Sequence, residues 1–226
     1  MAFGNNAILA PKKSDGSSLD IQNIFKTFQG EALFTGLPAV FIRLGGCNLA
    51  CKFCDTEFDS YQTVSLEEVV LKTKALSENK GFRTHNLVII TGGEPLRQNI
   101  AILCKTLLKN NFKVQIETNG TLFQKLPKKV DIICSPKNNS GAGYCPIRAD
   151  LLPKISAFKF LISAHHKNYN FVPEVGQSQH NIPVYLQPID EYDEAKNQAN
   201  RRLTLELATE FGYRLSLQTH KFWGID

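Results

Sequence analysis

Apolar residues along this chain fall into short, dense runs separated by helical stripes. Ala39 to Leu44, Leu87-Val88-Ile89-Ile90, Val114-Gln115-Ile116, Ile132-Ile133-Cys134 and Phe158-Lys159-Phe160-Leu161-Ile162 each read as a strand. Pro183 to Leu186 and Leu215-Ser216-Leu217 continue the series, and Ile21 to Phe25 alternates like a strand ahead of it. Between these runs the period changes. Leu66, Val69, Val70 and Leu76 stripe a helix that opens on Ser65-x-x-Glu68, the form of a capping box, and stops near Gly81. Ile100, Leu103 and Leu107 mark a second helix; Ala195, Ala199, Leu203, Leu207 and Phe211 mark a long third one that Gly212 ends. Strands alternating with helices predict an α/β fold with a mainly parallel sheet and right-handed crossovers. Six or seven strands are too few for an eight-fold barrel, so the expected form is an incomplete (β/α) barrel.

Nearly every strand runs directly into polar residues. These ends are Thr91-Gly92-Gly93-Glu94-Pro95, Glu117-Thr118-Asn119-Gly120, Ser135-Pro136-Lys137, Ser163, Gln187-Pro188-Ile189-Asp190 and Gln218-Thr219-His220. Gly, Asn and Pro alone would mark turns. Turns do not call for Glu94, Glu117, Lys137 and His220 as well. In open α/β sheets and β/α barrels the C-terminal strand ends form the active face.

Composition narrows the class. At 226 residues, 42% hydrophobic and 21% charged, the chain suits one globular domain, expected over residues 19–226. Residues 1–18, polar and carrying Pro11, Gly16 and several serines, read as a flexible tail without the plan of a signal peptide. No apolar run approaches a membrane span, so the expected location is cytoplasmic, with no membrane partner. The net charge of +5 is spread along the chain, and no aromatic-basic signature calls for nucleic acid. The segment from Asn138 to Leu152 reads as an irregular insert. Cys104 and Cys134 read as small buried hydrophobes.

Three other cysteines form the densest chemical signal. Cys47, Cys51 and Cys54 are spaced Cys-x3-Cys-x2-Cys on a loop that leaves a strand. A closed zinc site needs four ligands, and the next cysteine is Cys104, with no histidine nearby. Three soft thiolates on one loop suit an iron–sulfur cluster, with one iron left open to a small molecule.

This loop, followed by Thr91-Gly92-Gly93-Glu94-Pro95, resembles the radical S-adenosylmethionine (SAM) superfamily. Phe25-Lys26-Thr27-Phe28-Gln29-Gly30-Glu31, Arg43, Cys54-Asp55-Thr56, Ser135-Pro136-Lys137, Gln187-Pro188 and the ending Gln218 to Asp226 narrow the resemblance to the 7-carboxy-7-deazaguanine synthase family. That resemblance implies the incomplete barrel of the radical SAM type. It also implies a [4Fe–4S] cluster on Cys47, Cys51 and Cys54, SAM on the open iron, and hydrogen abstraction by the radical that SAM cleavage yields. The implied reaction converts 6-carboxy-5,6,7,8-tetrahydropterin to 7-carboxy-7-deazaguanine with release of ammonia, in queuosine and related deazapurine biosynthesis. Mg²⁺ on Thr56, a homodimer and a separate electron donor are implied as well. Carried onto this sequence, the substrate contacts are Phe28, Gln29, Gly30, Glu31, Arg43, Thr91, Glu117, His220 and the terminal carboxylate of Asp226, where the family often ends in Pro. The SAM contacts are Phe53, Gly93, Glu94, Ser135, Pro136, Lys137, Gln187, Pro188, Ile189 and Asp190. Two rivals stand beside this reading: a radical SAM activase of glycyl-radical enzymes, and a zinc-stabilised binding module.

Overall fold

One sheet takes up the apolar runs. The computed structural model describes residues 6–51, 54, 56–138 and 143–225. Its strands begin with β1 (Ser18–Phe28), β2 (Pro38–Leu44) and β3 (Gln62–Ser65), and a small separate hairpin pairs β4 (Glu78–Asn79) with β5 (Phe82–Arg83). The series resumes with β6 (Leu87–Gly92), β7 (Lys113–Thr118), β8 (Val130–Cys134), β9 (Ala157–Ile162), β10 (Val184–Pro188) and β11 (Arg214–Leu215). The sheet order is β11-β10-β9-β8-β7-β6-β2-β1-β3. Within this sheet every pairing from β2 to β11 is parallel, and β1 runs antiparallel between β2 and β3. Among the described residues the two ends of this order do not pair, so the barrel stays open, as expected. The antiparallel flank at β3 and the β4–β5 hairpin are too short to show in a periodicity.

Helices α1 (Leu66–Ser77), α2 (Ala101–Lys109) and α3 (Glu194–Phe211) pack on the outer face. Val40, Ile42 and Leu44 of β2, Val88 and Ile90 of β6, Val114 and Ile116 of β7, and Phe158 and Phe160 of β9 point to that side. There they share one core with Val69, Leu103, Cys104, Leu107 and Ala208. Cys104 and Cys134 are fully buried in it, as expected. Because side chains alternate along a strand, the intervening residues face inward. Several of these are apolar: Ala39, Leu87 and Ile89 form one small cluster, and Ile133, Ala157 and Tyr185 pack with Ala32 in another. Other inward positions are Arg43, Thr91, Glu117, Lys159 and Gln187. The parallel registers Arg43↔Thr91 and Leu161↔Gln187 bring neighbouring strands to the same height. The sheet therefore carries small apolar clusters beside a polar layer.

Two expectations change. Residues 6–17, read as a flexible tail, lie against the molecule: Leu9 N donates to Cys47 O at 2.7 Å and Lys12 N to Arg97 O at 2.7 Å. His220, expected at a strand end, sits in the short helix α4 (Thr219–Trp223), a single turn with no stripe to announce it. The capping box at Ser65 and Glu68 forms as expected.

Helix α3 ends on Gly212 in the left-handed conformation, φ 68°, with open space where a Cβ would stand. A side chain there costs backbone strain alone. Gly212→Ala should lower the unfolding free energy by about 1 kcal/mol. Gly212→Asn should cost less, since Asn tolerates that conformation better. Urea denaturation followed by circular dichroism measures both.

Candidate active site

The polar layer opens into a cavity of about 580 Å³, within the range of small-molecule sites. It lies where the C-terminal ends of the parallel strands meet the cysteine loop. Cys47, Cys51, Cys54 and Thr56 line it, as do Phe28, Gln29, Gly30, Glu31, Arg43, Thr91, Glu117 and His220. Gly93, Ser135, Lys137, Gln187, Pro188, Ile189 and Asp190 complete the set of expected residues that reach it. Phe53 and Asp226 lie outside the described residues. The fold thus gathers around one cavity residues as far apart in the chain as Phe28 and His220.

Lys159, an inconspicuous residue of an apolar strand in the sequence, sits at the centre of the layer. Its ammonium is paired with Glu31 and donates to Glu117 Oε2 at 2.9 Å. Glu117 Oε1 accepts from Gln29 Nε2 at 3.0 Å. Glu31 Oε1 accepts from both Gln187 Nε2 and Gln218 Nε2 at 3.0 Å. Burial alone would raise the Glu31 carboxyl, but Lys159 and the Gln218 amide outweigh it and hold the group at about 2. Burial alone would likewise strip the proton from Lys159; Glu117 and Glu31 reverse this and keep it charged. The layer is a charge-paired, hydrogen-bonded plate. On β2 of the same sheet, Arg43 lies with its guanidinium carbon 5.1 Å from the centre of the Phe25 ring.

The cysteine loop leaves β2 directly after Arg43 and Leu44. Burial pushes the Cys47 thiol up to about 12, and Glu94 and the Cys51 and Cys54 thiols nearby push in the same direction. Such thiols lose their protons only to a strong cationic partner. Among the described residues no three His, Cys, Asp or Glu side chains gather round a single ion. A cluster differs from an ion here, because it presents a separate iron to each thiol, and three of the six cysteines line this cavity. The donor set fits an iron–sulfur cluster.

The loop is held by close backbone approach. A Cβ at Gly93 would overlap the carbonyl oxygen of Gly46, so only glycine lets the β6 end pack against the first cysteine. Gly30 is constrained in the same way by the His220 ring.

A sequence profile of the Radical SAM superfamily matches residues 41–137. The chain is 55% identical to a 7-carboxy-7-deazaguanine synthase of Rickettsia prowazekii (strain Madrid E), over 99% of this chain and 96% of that one. The chain belongs to the 7-carboxy-7-deazaguanine synthase family. A relative of that name from Escherichia coli (strain K12) is 33% identical over 91% of this chain and 98% of its own. The crystal structure of QueE from Escherichia coli superposes with a TM-score of 0.69 and 28% identity, covering 88% of this chain and 93% of that one.

Within this 7-carboxy-7-deazaguanine synthase family member, two expected SAM contacts do not reach the cavity. Glu94 is fully buried, and its oxygens accept from Leu96 N at 2.9 Å, Thr118 Oγ1 at 2.7 Å and Asn119 N at 2.7 Å. It ties the β6 end to the β7 end instead. Pro136 is also buried and absent from the lining, between Ser135 and Lys137, which do line it. Gly93 does line it, but its need for glycine comes from Gly46. Lys159 joins the wall unannounced, and Gln218 and Asn119, expected only as polar strand ends, join it too. A lysine inside a strand that is otherwise apolar was the available signal for the first.

Replacing Lys159 by Met leaves Glu31 and Glu117 without their cation. Breaking a buried pair from one side costs about 3–5 kcal/mol near neutral pH. The sign with pH follows from Glu31, whose depressed carboxyl stabilises the fold above its ordinary range near 4.5 and loses that contribution as pH falls towards 2. In the variant, burial is still opposed by the neighbouring amides but no longer by the cation, so the same carboxyl rises from its wild-type position and acid relieves it. The stability deficit of Lys159→Met should therefore narrow as pH falls from 5 to 3. Urea midpoints across that range measure it.

Proposed function

We propose that this chain is a radical SAM lyase that converts 6-carboxy-5,6,7,8-tetrahydropterin to 7-carboxy-7-deazaguanine with release of ammonia, in 7-deazapurine (queuosine) biosynthesis. One observation carries the reading: the three thiols of the cysteine loop and the charged plate around Lys159 line a single cavity in a chain with family relatives along nearly its full length. The bound cluster and SAM supply one-electron reduction and hydrogen-atom abstraction. The protein's own residues bind, orient and enclose.

Arg43 offers a planar, permanently charged fork to the substrate carboxylate. Glu117, Glu31 and Gln29 offer acceptors and an amide to the amino and ring N–H groups of the pterin, and Thr91 and His220 complete that wall. Ser135, Lys137 and Gln187 to Asp190 are proposed to hold SAM. The Thr56 hydroxyl is proposed as the Mg²⁺ ligand, since this hard ion takes few protein oxygens and keeps waters and substrate oxygens. We further infer a homodimer served by a separate electron donor in the cytoplasm. Phe222 and Trp223 on α4, 83% and 71% exposed, are the kind of apolar surface that an interface covers. Among the described residues no helix is long and apolar enough to cross a membrane. The glycyl-radical activase reading finds no support in the relatives named above.

Anaerobically reconstituted protein should form 7-carboxy-7-deazaguanine from 6-carboxytetrahydropterin, SAM and a reductant. Production of 5′-deoxyadenosine without the deazaguanine would overturn the substrate assignment. Arg43→Met should raise KM about 10- to 100-fold, the worth of a charged hydrogen-bonding pair. Thr56→Ala should raise the Mg²⁺ concentration needed for half-maximal rate, and unchanged Mg²⁺ dependence would remove Thr56 as a ligand.

A further inference from the structure

We propose that residues 6–12 form a strap that positions the cysteine loop for its cluster, with the Asn6 amide and the Leu9 N–H as the clasping groups. Asn6 is 8% exposed, and its Nδ2 donates to the Thr56 carbonyl at 3.1 Å. That same carbonyl lies 3.4 Å from Cys54 Sγ. Ala7 N donates to Asp59 Oδ2 at 2.9 Å. Ile8 then forms a β-bridge with Cys47, and Leu9 N donates to Cys47 O at 2.7 Å. The strap thus touches the loop at its first cysteine and again just beyond its third.

Its other end is anchored to the base of the same loop. Lys12 N donates to Arg97 O at 2.7 Å, and Arg97 Nη1 donates to Ala10 O at 3.2 Å. The other arm of Arg97 donates to Gly45 O at 3.1 Å, two residues before Cys47. Asp20 pairs with Lys12 at 2.6 Å and with Arg97 at 3.4 Å, closing the circuit behind the loop. A loop that must present three thiols at fixed positions gains from every contact that removes its alternatives before the cluster binds. A mere surface covering would have no need of hydrogen bonds aimed at the backbone of Cys47 and Thr56.

The proposal rests on the reading of Cys47, Cys51 and Cys54 as cluster ligands. Leu9→Pro removes the donating N–H, Leu9→Ala keeps it, and Asn6→Asp keeps the side-chain size while losing the donor. Each reconstituted protein is held anaerobically with an iron chelator while the loss of its brown chromophore and its iron content are followed. Thermal melts of the chains check that the sheet is intact. Leu9→Pro and Asn6→Asp should each lose iron about tenfold faster than wild type, the worth of one hydrogen bond, with Leu9→Ala within about twofold. Wild-type rates in both Leu9→Pro and Asn6→Asp would overturn the strap, as would equal losses in Leu9→Pro and Leu9→Ala. If Leu9→Pro fails to fold, Asn6→Asp alone decides. A wild-type chain that takes up no cluster would instead overturn the reading of the three cysteines, and the strap with it.

Discussion

A single buried ammonium determines what the inner face of this sheet can be. Taking carboxylates out of water costs several kcal/mol each unless a cation and donors accompany them. Lys159 supplies the charge for two of them, and the amides of Gln29, Gln187 and Gln218 fill further lone pairs. The result is a plate that keeps Glu31 ionised and fixes the direction of both acids' oxygens. A hydrophobic layer of equal volume would be as stable or more so. The arrangement makes sense as recognition, because a donor-rich heterocycle needs acceptors whose positions are set before it arrives.

The plate also ties strands of the sheet to segments outside it. Glu31 follows β1, Glu117 ends β7, Lys159 lies mid-way along β9, Gln187 sits on β10 and Gln218 precedes α4. Gln218 and the Thr219 N–H, which donates to Gly30 O at 3.1 Å, tie the chain's last helix to the β1 end. Loss of Lys159 would therefore loosen the C-terminal segment over the cavity as well as the acids beneath it.

The architecture was legible because its signals are periodic. The Ser65–Glu68 box, the Gly212 stop and the apolar runs each report on a local constraint, and each appears where the residues put it. The site was legible where spacing carried it: the cysteine loop, Arg43 and most of the polar strand ends reach the cavity. Failures have a common cause, which is that a side chain's direction is decided by partners far away in sequence. Glu94 looked like a ligand-facing acid after a glycine pair, but Thr118 and Asn119 claim its oxygens. Lys159 looked like an interruption in an apolar strand, but two acids more than 40 residues away give it its role. Residues 6–12 lack any period, so the hydrogen bonds they make to Cys47, Thr56 and Arg97 leave no trace in composition.

These features together place the cysteine loop between two kinds of constraint. On its inner side the only demand is chemical: three thiols, Arg43 and Thr56 must reach one cavity. On its outer side the demand is mechanical, and it is met by contacts aimed at the loop's backbone. Gly93 packs on Gly46, Arg97 holds Gly45, and the strap pairs with Cys47 and Thr56. Arg43 stands four residues before the first cysteine and Thr56 two after the last. Any slack in the loop would therefore displace the proposed radical source relative to the carboxylate and metal contacts of the substrate. Hydrogen-atom transfer tolerates little misplacement, since an error of about 1 Å can cost about a hundredfold in rate. A loop with both duties cannot be left to the cluster to organise; its geometry has to be held from behind.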